Sequence, residues 1–259
     1  MKTIIKRSMA EESYSGDKII RAMEKAFTSV GIVQDADLIA DLLRQVEAEF
    51  ADRDQAGVEE IQDAVERVMM ANGCFDVAKS YILYREKRAE MRKIRETLVA
   101  EIGDENLLPV LDSIQSSYEH YDLTRLEAKY IAMQKPDSTI DARLELLTKS
   151  AAELTTQEEP NWEKIAGRLL YYTFSRELKK TEENYGLTSF YEKLRYLTSE
   201  GLYGKYILES YSKKEIEEAF EFIDDERNNL YTYAGLDLLI SRYLIHNRSH
   251  VVLESPQEM

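Results

Sequence analysis

Three cations near the amino end, Lys6, Arg7 and Lys18, are the residues whose type and spacing could do chemistry. Lys6 and Arg7 follow the β-branched pair Ile4 and Ile5, and Lys18 lies just inside a helix that Ser15 or Asp17 caps. A helix N-terminus carries unpaired N–H groups and positive partial charge, and lysine and arginine form charge-assisted bonds to phosphate oxygens. The group therefore suits a phosphate cradle, with each contact worth about 1.5–3 kcal/mol. An ordinary solvated surface would use the same residues. Between the cations lie Glu12, Tyr14 and Ser15. Tyr14 could line a base pocket and Glu12 could accept from a base amino group or a ribose hydroxyl; alternatively, Tyr14 is a strand-end aromatic packed on the first helix. Lys87, in YREKRAE, could reach the same phosphates if its helix packs beside the hairpin. The other reading is a charge ladder through Arg85, Glu86, Lys87, Arg88 and Glu90.

Other reactive residue types have plainer explanations. Cys74 is the only cysteine, so no disulfide forms within one chain, and no histidine lies near it in sequence. It reads as a small, partly buried residue. His120, His246 and His250 are scattered, without zinc-ligand spacing. The acidic runs Glu158-Glu159 and Asp224-Asp225-Glu226 fall at helix ends and loops, where macrodipole and solubility effects account for them. Tyr171, Tyr172, Tyr191, Tyr196, Tyr231, Tyr233 and Tyr243 recur at helical spacing among leucines, as packing residues do.

The elements that must position these groups are mostly helices. With 10 Gly and 4 Pro in 259 residues, long helices can run with few breaks. A short hairpin (Ile4–Ile5, a turn through Ser8 to Glu11, then Glu12 to Tyr14) leads into a helix with Ile19, Met23, Ala26, Phe27 and Val30 on one face, closed by Gly31. Further helices are predicted over Asp35–Ala51, Val58–Met70 and Asp76 to about Leu98, with Asp52–Gly57 a polar link. Downstream, the pattern predicts helices over Asn106–Ser117, Leu123–Met133 and Thr139–Leu154, with Ser138-x-x-Asp141 as the start of the third. Next come Trp162–Thr181, Leu187–Ser199, a Gly201–Gly204 break and a capping box at Ser212-x-x-Glu215. The last predicted helix is Asn228–His246, followed by a strand-like HVVLE. VAKSYILY (Val77–Tyr84) weakly echoes IAGRLLYY (Ile165–Tyr172), which leaves a degenerate internal duplication open.

A net charge of −15 argues against general nucleic-acid binding, since a polyanion would be repelled away from a local basic patch. The amino end is charged where a signal peptide is apolar, and no run approaches the roughly 20 apolar residues of a membrane span. A cytoplasmic location is expected. Ser255-Pro256-Gln257-Glu258 reads as a helix start at the very end of the chain, so a fragment is expected.

Taken together, IIKR, the ES-Y-S strand, DKIIRAMEKAF and FDVAKSYILYREKRAE resemble an ATP-cone, the small regulatory nucleotide-binding domain of ribonucleotide reductase large subunits. Independently, NWEKIAGRLLYYTF, FYEKLRYLTSEGLY, YSKKEIEEAFEFIDDERN and YTYAGLDLLISRYLIHNR resemble the helical N-terminal domain that precedes the catalytic barrel in class I large subunits. The resemblance implies a mainly α fold: a cone over 1–95, a helical connector over 96–160, which could be degenerate cone-like helices, and a helical domain over 161–259 that stops before the barrel. It places nucleotide contacts on Lys6, Arg7, Glu12, Tyr14, Ser15, Lys18, Val58, Gln62, Leu83 and Lys87. Ser8-Met9 stands where the family usually has Asp-Gly, and Val58 and Gln62 stand where threonine and histidine are common. The implied effector is ATP or dATP, with Mg2+. The implied partners are the catalytic barrel of the same subunit, missing or on a second chain, and the small radical-generating subunit. Radical reduction in this family needs three thiols, so with Cys74 alone the chain is expected to be inactive by itself. The alternative function is a degenerate cone acting as an interaction scaffold. A nucleotide-sensing repressor is disfavoured, because no zinc ribbon precedes Lys6.

Overall fold

A computed structural model describes residues 3–6, 10–33 and 35–259. Arg7 and the Ser8-Met9 turn lie outside the described residues. The chain divides into two compact units, Met1–Glu90 and Met91–Met259.

In the first unit, β1 (Thr3–Ile5) pairs antiparallel with β2 (Glu11–Ser13), placing Ile4 opposite Glu12. A third strand, β3 (Gln55–Gly57), pairs parallel to β1 with Ala56 opposite Ile4. The sheet order is β2-β1-β3. The predicted polar link at Asp52–Gly57 thus ends in a strand. Its three residues send only Ala56 inward, so no period-two signal exists to read.

Helix α1 (Gly16–Ser29) buries Ile19, Met23, Ala26 and Phe27, and Gly31 follows in the left-handed region (φ 71°) with its N–H on the Thr28 carbonyl, as the sequence suggests. Helix α2 (Ala36–Ala48) starts at Asp35, whose carboxylate accepts from the N–H groups of Asp37 (3.0 Å) and Leu38 (3.4 Å). Helix α3 (Val58–Ala71) springs directly from β3, and Glu60 reaches back to the Gly57 N–H at 2.8 Å. Helix α4 spans Phe75–Ile102 and gives Val77, Ala78 and Tyr81 to the first core. Met23, Leu42, Ala64 and Met69 are wholly buried at its centre, and a buried residue of leucine or methionine size contributes about 1.5–3 kcal/mol.

Arg85 corrects the charge-ladder reading of α4. Its guanidinium reaches Glu59 (2.6 Å), Asp63 (2.6 Å) and Glu66 (2.7 Å) on α3, not its own-helix neighbours. Helical periodicity shows which residues share a face but not which helix that face meets.

The second unit is helical, and its described residues contain no strand beyond the isolated bridge His246–Val252 where HVVLE read as strand-like. Its helices are α5 (Leu107–Ser117), α6 (Leu123–Met133), α7 (Ile140–Ala152), α8 (Trp162–Tyr185), α9 (Phe190–Ser199), α10 (Tyr206–Ser210), α11 (Lys213–Phe220) and α12 (Tyr233–Leu238). The main core joins Leu98 and Ile102 of α4, Leu107, Leu111, Leu126 and Tyr130 to Leu147, Trp162 and Ile165. It therefore draws on both the 96–160 and the 161–259 stretches.

Two local readings change, at the start of α7 and between Asn228 and His246. Thr139, not Ser138, caps α7, accepting from the Ala142 N–H at 3.2 Å, while the Ser138 hydroxyl donates to the Lys135 carbonyl. The single helix predicted over Asn228–His246 is instead a 3-10 turn (Asp225–Leu230), α12 and a π turn (Leu239–Tyr243). Asn228 is fully buried, with its amide on the Tyr171 hydroxyl (2.8 Å) and the Asp225 carbonyl (3.1 Å), and Thr232 starts a new helix. Ser255–Glu258 forms one turn, closed by the Glu258 carboxylate on the Ser255 N–H (2.6 Å), and Lys193 holds the same carboxylate at 2.7 Å. The echo between α4 and α8 is one of burial. Val77, Ala78 and Tyr81 are buried in one, and Ile165, Ala166 and Leu169 at the same spacing in the other.

Candidate functional site

The hairpin and the start of α1 bring three of the predicted residues together. Lys6 directly follows β1, and its backbone N–H closes the hairpin on the Ala10 carbonyl (2.9 Å). Glu12 is the central residue of β2, and Lys18 lies in the first turn of α1. Both ammonium groups meet one carboxylate: Lys18 Nζ is 2.6 Å from Glu12 Oε1 and Lys6 Nζ is 3.1 Å from Oε2. The Lys18 hydrogen bond, and then that of Lys6, hold the Glu12 carboxyl below the usual carboxylate range. The lysine side chains are about half exposed, so an incoming anion can reach them.

Ser15 occupies the N-cap position of α1 with extended backbone (φ −139°, ψ 118°), yet its hydroxyl makes no capping bond. The first N–H groups of the helix are thus left to other acceptors. The site combines two ammonium groups with this uncapped helix start, an arrangement that attracts phosphate oxygens.

Tyr14 is half-buried against the first core, and its hydroxyl donates to Glu47 Oε1 on α2 at 2.8 Å. Burial first, and then that bond, push its phenol well above the ordinary range. The sequence suggested packing on the first helix. It could not show the bond to α2, which joins residues 33 positions apart.

Val58 and Gln62 lie one turn apart on α3, both partly buried. Leu83 and Lys87 lie one turn apart on α4, both exposed, and no ion pair joins Lys87 to Glu12. The contacts among the described residues thus bring Lys6, Glu12 and Lys18 together. Cys74 is partly buried, with its thiol 3.8 Å from the Asn72 carbonyl. Of the acidic runs, Asp224 starts the 3-10 turn by accepting from the Glu226 N–H (3.1 Å), and Glu159 pairs with Arg125. No group of three or more metal-capable side chains occurs among the described residues.

A three-stranded sheet and helices that set paired lysines beside a helix start define the class: residues 2–90 match the ATP cone domain family. Over 265 residues the chain is 41% identical to the ribonucleoside-diphosphate reductase subunit alpha of Treponema pallidum, covering 99% of this chain and 31% of that protein. It is 34% identical over 161 residues to the vitamin B12-dependent ribonucleoside-diphosphate reductase of Thermoplasma acidophilum, covering 60% of this chain and 19% of the relative. For ribonucleoside-diphosphate reductase 1 subunit alpha of Escherichia coli K12, identity is 24% over 155 residues, covering 60% and 20%. The chain is thus similar over nearly its whole length to a ribonucleoside-diphosphate reductase alpha subunit, matches the ATP cone domain family over residues 2–90, and spans less than a third of these relatives' length.

Proposed function

We propose that this chain is the allosteric amino-terminal part of a ribonucleoside-diphosphate reductase large subunit, and that its cone binds ATP or dATP. The observation that carries the reading is the meeting of Lys6 and Lys18 on one carboxylate beside the uncapped start of α1. In this reading Lys6, Arg7, Lys18 and Lys87 hold the phosphates. Glu12, Tyr14, Ser15, Val58, Gln62 and Leu83 line the nucleoside side. Mg2+ arrives with the phosphates, which is how this ion is commonly held, with few protein ligands.

The cone (1–95), connector (96–160) and helical domain (161–259) would pass the bound state to a catalytic barrel in the same subunit, either in further sequence or on a second chain. That barrel would work with the small radical-generating subunit, in the cytoplasm, as a larger oligomer. A coupling of about 1–3 kcal/mol between effector and assembly would suffice.

Calorimetry of the intact chain with ATP and dATP, against Lys6→Ala/Lys18→Ala, tests the effector site. The intact chain should bind at least one nucleotide, and the double variant should bind it at least about tenfold more weakly, since each charge-assisted contact is worth about 1.5–3 kcal/mol. Absence of heat with both nucleotides would favour the interaction scaffold instead.

A further inference from the structure

The two cations best placed to hold a phosphate are already engaged. Lys6 and Lys18 each take a different oxygen of Glu12, at 3.1 and 2.6 Å, so one carboxylate bridges two ammonium groups as two oxygens of a phosphate would. Glu12 is held in this position by strand pairing, with its backbone opposite Ile4. Its side chain is about a third exposed, which leaves room to swing away without moving the strand. The same two lysines hold its pKa below the ordinary carboxylate value, which keeps the contact intact further into acid.

We infer that Glu12 is an internal stand-in for the ligand's phosphate, which a polyphosphate must displace from Lys6 and Lys18 before it binds. The inference rests on the effector-site reading above and adds a determinant of its affinity and selectivity. A carboxylate offers one charge and two oxygens. A triphosphate offers several charges and more oxygens, and so can take both lysines and the helix start together. A singly charged ligand gains too little to break two existing pairs, so the internal carboxylate biases the site toward multiply charged phosphates. Once displaced, Glu12 is repelled by the phosphates and is free to accept from donors on the nucleoside.

The test is calorimetry of the full chain with tripolyphosphate, which has no base or sugar, alongside ATP. In Glu12→Gln, tripolyphosphate should bind about threefold to tenfold more tightly, the factor expected from two exposed ion pairs. Glu11→Gln removes the same charge from the adjacent position of β2, where no ion pair joins it to either lysine among the described residues. It should leave the affinity within about twofold. Adding Lys6→Ala and Lys18→Ala to Glu12→Gln should abolish the gain. Equal or weaker tripolyphosphate binding by Glu12→Gln, or an equal gain from Glu11→Gln, overturns the inference alone when the intact chain binds ATP. If neither the intact chain nor Glu12→Gln binds either ligand, the effector-site reading falls and takes the inference with it.

Discussion

At the scale of single residues, Glu12 connects the sequence reading to the site. Its type and its place between the cations were visible in the chain, but its partners were not. From sequence it was a candidate acceptor for a base or ribose, whereas the structure shows it bridging Lys6 and Lys18. The contact has a signature in acid. A carboxyl whose folded pKa is lowered stabilises the fold above its unfolded pKa, and that contribution is lost as pH falls through the folded value. Carbon-detected NMR of the Glu12 carboxyl should give a midpoint below 4.5, moving up toward 4.5 in Lys18→Ala, where the largest cause of the shift is gone. Tyr14 shows the limit of pattern reading. Its partly buried ring was foreseeable, yet the hydroxyl commits to Glu47 on a different helix from the one expected.

At the scale of elements, helix existence followed from apolar spacing, and the stops were set by details. The start of α6 at Leu123 and the capping box of α11 at Ser212 match the prediction, because a local side chain makes each cap. Local preference failed at β3, which exists by pairing with β1, and between Asn228 and His246, where the 3-10 turn ends at Leu230 and Thr232 caps a new helix. One close approach is also invisible in sequence. A Cβ at Gly167 on α8 would lie 2.9 Å from the Thr232 carbonyl carbon and 3.1 Å from the Tyr233 nitrogen, and closer still to the Tyr231 oxygen. Alanine in a helix ordinarily gains about 1 kcal/mol over glycine. Here the obstacle is backbone, which cannot rotate aside, so overpacking wins. Gly167→Ala should lower stability by about 1–3 kcal/mol, read as a fall in the urea midpoint with an unchanged slope.

At the scale of the whole molecule, the chain carries a net charge of −15, which makes any anion-binding function depend on a focused cationic group. The single thiol, Cys74, sits partly buried in the first unit. The purified chain, supplied with ribonucleoside diphosphate, small subunit and reductant, should show no turnover, because one thiol cannot both start and complete a reduction that ends in a disulfide. Deoxyribonucleotide formation above the no-protein background would refute this.

The sequence alone determined the mainly helical class, the cation-rich hairpin and the family resemblance. These depend on composition, on short-range periodicity and on motifs spanning a few residues. Only the tertiary structure decided that Lys6 and Lys18 share Glu12, that β3 completes the sheet, that Arg85 crosses to α3 and that Gly167 must remain small. Each of these joins or separates groups by distance in space, and periodicity along one element carries no information about which other element lies opposite it.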